Sequence, residues 1–288
     1  MNSLRHVICA FNLVAALSAC SPTGIINSLT PESGYTVDRA VPFGDDPRQR
    51  LDVYVPDAPA AGTPLVVFFY GGGWESGERQ QYKFVGEAFA AQGYTVAVPD
   101  YRLYPQVRWR GFMADAADAV AFLAGRPEAG SGIVLMGHSA GAYIAAMLVL
   151  DEAWLDLRGV ARCRIRAGIG LAGPYDLLPL RDSTLKQIFG PGEPAEESQP
   201  IAHVDPGAPV MLLATGGRDT TVRPRNTRDL AARLVEAGVP VELRIYDGVG
   251  HAPLVGALSR PLRSLAPTHE DVFAFLTTLP PGGRAPCS

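Results

Sequence analysis

The chain has 288 residues, 47% of them apolar, and a formal net charge of −4. That is enough apolar material to bury a sizeable core, in one large α/β domain or two small ones. The charge is mild and no Lys/Arg cluster marks a nucleic-acid surface, so that class of partner is excluded.

The first twenty residues stand apart. Arg5 and the α-amino group make a weakly positive start, and Val7 to Leu17 is almost wholly apolar. The run is too short to span a bilayer and suits the apolar region of an export signal. A short buried helix is the competing reading, but it does not explain the small residues and Cys20 that follow at once. Leu17-Ser18-Ala19-Cys20 resembles the lipobox of bacterial lipoproteins. The resemblance implies that residues 1–19 are removed as a signal and that the Cys20 thiol is lipidated. The protein is then exported and tethered to a membrane of the bacterial cell envelope. Cleavage after Ala19 without lipid is the alternative. With the signal gone and Cys20 capped, Cys163 and Cys287 remain. An exported compartment permits a disulfide between them, and free thiols fit equally.

Residues 20–50 are rich in Pro, Gly, Ser and Asp and read as a tether with an irregular entry. From residue 51 to 288 a single domain is expected, with strand-like and helix-like segments alternating. The strand-like runs are Leu51–Val55, Pro64–Tyr70, Tyr94–Pro99, Ile133–Met136, Ala167–Leu171, Pro209–Ala214 and Val241–Tyr246. Helical spacing marks Glu78–Gln92, Gly111–Ala124, Ala142–Val149, Pro224–Ala237 and Thr268–Leu279. Continuous apolar strands separated by helices predict a mainly parallel sheet covered on both faces. Leu177–Pro206 reads as a small lid or a long loop.

Gly137-His138-Ser139-Ala140-Gly141 falls at a strand-to-helix switch. A serine wedged between two glycines there occupies a tight turn at the carboxyl end of a strand, where an activated nucleophile is useful. A chance match in a glycine-rich chain would rarely land on such a junction. A serine hydroxyl needs a base, and the base an orienting carboxylate. His251, in the glycine-flanked loop after the last strand, is the candidate base; His138 is expected to point away from its neighbour's hydroxyl. Asp219 follows the strand ending at Ala214 and is the candidate acid. Asp247, four residues before His251, is its rival and reads more simply as a turn residue ahead of Gly248. Backbone N–H donors for an oxyanion are expected from Ala140 and from the glycine run Gly71-Gly72-Gly73, which begins where a strand stops. Trp74, Tyr101, Tyr104 and Trp109 are candidates for an aromatic pocket wall.

These motifs together resemble the α/β-hydrolase superfamily, from about Leu51 to Leu279. Within it the chain is similar to esterases of the hormone-sensitive-lipase and feruloyl-esterase-like (BD-FAE) groups. The resemblance rests on the glycine loop Tyr70–Trp74, Pro99-Asp100-Tyr101-Arg102-Leu103, Gly137–Gly141, Gly216-x-x-Asp219-x-x-Val222 and Gly250-His251. It implies an α/β-hydrolase fold with a small cap or none, and Ser139 as nucleophile, His251 as base and Asp219 as orienter. Gly72, Gly73 and Ala140 become the oxyanion donors, with neither cofactor nor metal. The implied activity is hydrolysis of small carboxylic esters with short, medium or aromatic acyl groups. One departure stands out: relatives often begin the glycine loop with His to brace it, and here that residue is Tyr70. The serine motif with a glycine-Trp loop also resembles arylformamidases. A catalytically silent, lipid-tethered binding protein on the same fold is the alternative of another class.

Overall fold

A computed structural model describes residues 22–190 and 195–280. Eight strands form one sheet: β1 (Tyr35–Pro42), β2 (Arg50–Pro56), β3 (Leu65–Phe69), β4 (Val96–Pro99), β5 (Ile133–His138), β6 (Ile165–Leu171), β7 (Val210–Gly216) and β8 (Val241–Tyr246). Their order is β1-β2-β4-β3-β5-β6-β7-β8. β1 with β2 and β2 with β4 pair antiparallel; every pair from β4 to β8 is parallel. Parallel neighbours need crossovers, and these are helical. The described helices are α1 (Pro22–Ser28), α2 (Lys83–Ala90), α3 (Trp109–Ala124), α4 (Ala140–Leu150), α5 (Ala153–Asp156), α6 (Ser183–Phe189), α7 (Arg225–Glu236), α8 (His251–Gly256) and α9 (Thr268–Thr278). This is the mainly parallel, doubly covered sheet that the pattern of runs predicts, in the α/β-hydrolase arrangement that the resemblance implies.

Helices on both faces explain why β3, β5 and β6 are buried at every residue, and why Leu65–Phe69, Ile133–Met136 and Ala167–Leu171 within them read as unbroken apolar runs. α4 is also buried throughout, so its sequence shows no polar face. α7 buries only Thr227, Leu230, Ala231 and Leu234, the i, i+3, i+4, i+7 stripe of a helix with one face in water. After β3 the chain moves to β4 on one side, then returns to β5 on the other. The loops leaving β3 and β5 therefore diverge and open a crevice at the carboxyl ends of the strands.

The segment expected to be irregular is structured in part. It contains α1 and the edge strand β1, which pairs with β2 across a register shift between Asp38 and Val41. Ala40 takes φ = 53° in that bulge, and its N–H donates to Asp52 Oδ1 at 2.7 Å. The bulge breaks the two-residue alternation, so the strand has no clean period to read. The Leu177–Pro206 stretch holds α6 and two short 3₁₀ turns. Cys163 is disulfide-bonded. The signal, Cys20 and the proposed partner Cys287 lie outside the described residues.

Candidate active site

Ser139 sits between β5 and α4 with φ = 56° and ψ = −124°, a conformation that costs a non-glycine residue strain. The surroundings hold it there. Its N–H donates to the Leu171 carbonyl at 2.9 Å, and its own carbonyl accepts from the N–H of Ala142 at 2.9 Å. Both flanking glycines are required by space. A Cβ on Gly137 would lie 2.1 Å from the Gly141 carbonyl oxygen, and one on Gly141 would lie 2.0 Å from that of Phe69. The turn thus closes β5, β3 and α4 onto one another and raises the hydroxyl at the rim.

His251 is the first residue of α8, a helical start rather than the open loop expected. Its Nδ1 lies 2.6 Å from Asp219 Oδ2, with the Asp219 side chain fully buried. The other carboxylate oxygen accepts the N–H groups of Thr221 and Val222, each at 2.9 Å. One oxygen anchors the loop and the other faces the imidazole. With Nδ1 engaged, Nε2 is the ring nitrogen left for the cavity that His251 and Ser139 both line. Asp247, the rival acid, makes no hydrogen bond or ion pair with His251 among the described residues. Asp219 is the carboxylate the fold brings to it.

That cavity measures about 360 Å³ and is lined by Gly71, Gly72, Gly73, Ser76, Tyr82 and Thr221 besides the site residues. Gly72 takes φ = 132°, and a Cβ there would fall 2.1 Å from the Ser76 carbonyl oxygen. Ala140 opens α4, so its N–H has no carbonyl one turn earlier in the helix to bond. Gly71, the first residue of the glycine run, is also required by space, since a Cβ there would come within 2.9 Å of Ser139 Cβ. A larger cavity, about 810 Å³, adjoins through the shared Thr221 and is lined by Leu177, Arg181, Arg223 and Asn226 among others.

The aromatic wall is a correction. Trp74, Tyr101 and Trp109 are at most 3% exposed. Trp74 packs against Phe112, Tyr143 and Phe189 with ring centroids 5.9, 5.3 and 4.8 Å away. They are core residues beneath the site, and Tyr82 is the tyrosine that faces the cavity. Tyr104 instead holds the cap, its hydroxyl bonded to Gln187 in α6.

Tyr70 accounts for the missing loop histidine. Its hydroxyl donates to Asp100 Oδ1 at 2.8 Å and accepts from Arg48 at 2.9 Å. Its ring stacks on Tyr101 at 4.9 Å, and the Tyr101 hydroxyl donates to the Tyr70 carbonyl at 2.8 Å. Arg48 also donates to the Gly77 carbonyl at 2.7 Å, across the base of the glycine loop. Asp100 further accepts from the Arg79 N–H and pairs with its guanidinium. Burial pushes the Tyr70 hydroxyl well above its ordinary pKa, so it stays a donor. The Asp100-Tyr101 pair of the sequence motif therefore braces the loop, assisted by Arg48 from the segment read as a tether.

His138, expected to point away from the Ser139 hydroxyl, packs against the candidate base. Its ring lies against that of His251, centroids 4.6 Å apart, and its Nε2 is 3.2 Å from the His251 carbonyl oxygen. Burial first, then the neighbouring His251, lowers its pKa to about 3. No periodicity could have shown this contact, because the two residues are 113 positions apart.

The BD-FAE family model matches residues 51–234. A probable isoprenylcysteine alpha-carbonyl methylesterase of Oryza sativa subsp. japonica is 32% identical over 251 residues, 78% of this chain and 60% of that protein. The chain thus spans about three fifths of the rice protein's length. A kynurenine formamidase of Salmo salar is 30% identical over 140 residues, 49% of this chain and 47% of that protein. Among solved structures, the apo form of Thermogutta terrifontis esterase 2 superposes with a TM-score of 0.68 at 25% identity, covering 87% of this chain and 98% of that one.

Proposed function

This chain belongs to the BD-FAE family, and from that premise we propose that it is a serine hydrolase cleaving small carboxylic esters through an acyl-enzyme. Ser139 Oγ attacks the ester carbonyl while His251 Nε2 takes its proton. Asp219 holds the imidazole in the tautomer that leaves Nε2 free, and stabilises the imidazolium that forms. The N–H groups of Gly72, Gly73 and Ala140 receive the oxyanion, Ala140 with the positive end of α4 behind it. His251 then protonates the leaving alcohol, and water releases the acid.

One observation carries the reading: the 2.6 Å contact of His251 with Asp219, in a cavity that the strained Ser139 also lines. A cavity of about 360 Å³ favours short, medium or aromatic acyl groups over long chains. Formamide hydrolysis is the second reading, favoured by the salmon formamidase's similarity. A fluorophosphonate probe is expected to label the wild-type protein at Ser139, and p-nitrophenyl acetate to be turned over faster than N-formylkynurenine. The opposite preference would favour the formamidase reading, and absence of labelling would favour a silent binding protein.

We propose further that Cys20 is lipidated and anchors the exported protein to a membrane, on the support of Val7–Leu17 and Leu17-Ser18-Ala19-Cys20. Metabolic labelling with a radioactive fatty acid is expected to mark the wild type and not Cys20→Ser. Equal labelling of the two would overturn the assignment.

A further inference from the structure

The residue between Gly137 and Ser139 is a histidine whose imidazole is buried at the edge of the cavity. The tautomer follows from its partner. A carbonyl oxygen only accepts, so the atom 3.2 Å from the His251 carbonyl must be Nε2–H. Burial lowers its pKa to about 3, so near neutral pH the ring is uncharged and Nδ1 is bare. Nδ1 is buried, has no hydrogen-bond partner among the described residues, and faces Gly71, whose added Cβ would lie 3.3 Å from it. The imidazole thus spends one nitrogen on the residue that carries the base and tolerates an unsatisfied second one. That arrangement costs stability unless something else is gained.

What is gained is the placement of His251. Asp219 holds that ring from the Nδ1 side only. His138 holds it from two further directions: through the carbonyl of the same residue, and through a tilted contact between the rings at an interplanar angle of 42°. Because His138 stays uncharged, His251 can become a cation during the reaction without a like charge beside it.

We propose that His138 is a positioning residue, which fixes His251 by donating Nε2–H to its backbone carbonyl and packing against its imidazole. This rests on the serine-hydrolase reading. Misplacing a base costs the chemical step more than substrate binding, so the effect falls on kcat rather than KM.

Glutamine carries its amide nitrogen as many bonds from Cα as the histidine Nε2, whereas asparagine falls one atom short. His138→Asn and His138→Leu are expected to lower kcat and the rate of fluorophosphonate labelling about tenfold, the weight of one hydrogen bond, with KM within about twofold. His138→Gln is expected to recover most of the loss. Equal kcat for the Gln and Asn variants, or a loss confined to KM, would overturn the proposal. If His138→Leu does not fold, the Gln and Asn pair decides by itself. Failure of the wild type to label would sink the underlying serine-hydrolase reading instead, so the two failures are distinguishable.

Discussion

Replacing Ser139 by alanine is expected to lower kcat on p-nitrophenyl acetate by about 10⁶-fold, the loss seen when a triad serine is removed while the oxyanion donors stay. Oxyanion donors and substrate binding still act, so a residue of about 10³-fold acceleration over water should survive. The fold should not notice. The Ser139 side chain makes no hydrogen bond to the start of α4, and the turn is held by backbone bonds to Leu171, Ala142 and Tyr143. Alanine tolerates φ = 56° no better than serine, so the strain is unchanged. A melting temperature within about 2 °C of wild type is expected, since loss of no buried contact is involved. Turnover within tenfold of wild type, in a folded variant, would remove Ser139 from the reaction.

Asp219→Asn is the second large effect, with kcat expected to fall about 10⁴-fold. The geometry leaves the amide two orientations. With its oxygen kept on the Thr221 and Val222 N–H groups, the NH₂ faces His251 Nδ1 and forces the proton onto Nε2. Nε2 then cannot accept the serine proton. With the amide reversed, the imidazole keeps the right tautomer but two backbone donors meet an NH₂. Each unsatisfied donor costs about 1–3 kcal/mol, so the first orientation wins and catalysis is lost rather than stability. Asp247→Asn serves as the comparison and should stay within about twofold of wild type. A reversed result, Asp247→Asn inactive and Asp219→Asn active, would transfer the orienting role to Asp247.

Much of this architecture is legible in the chain. Buried parallel strands need uninterrupted apolar residues, so β3 to β7 announce themselves over most of their length. The glycines at 137 and 141 announce the serine turn, because nothing with a Cβ fits where three backbones meet. Ser139, Asp219 and His251 each follow a strand, and position after a strand is a local property. β1 escaped because a bulge interrupts its alternation, and α8 because Gly250 ahead of His251 reads as loop.

Other features are not local. That Trp74 and Trp109 are core, that Tyr70 reaches Asp100 and Arg48, and that His138 meets His251 all depend on which strands are neighbours. Period and composition specify the face of each element and the residues that end it. They therefore determined a parallel sheet with chemistry at its carboxyl edge and a serine turn at its centre. Strand order and register bring together residues as far apart as 138 and 251, and the energy that selects them is summed over the whole packed core. Only the tertiary structure could therefore decide what braces the glycine loop, which carboxylate meets the imidazole, and which second histidine steadies it.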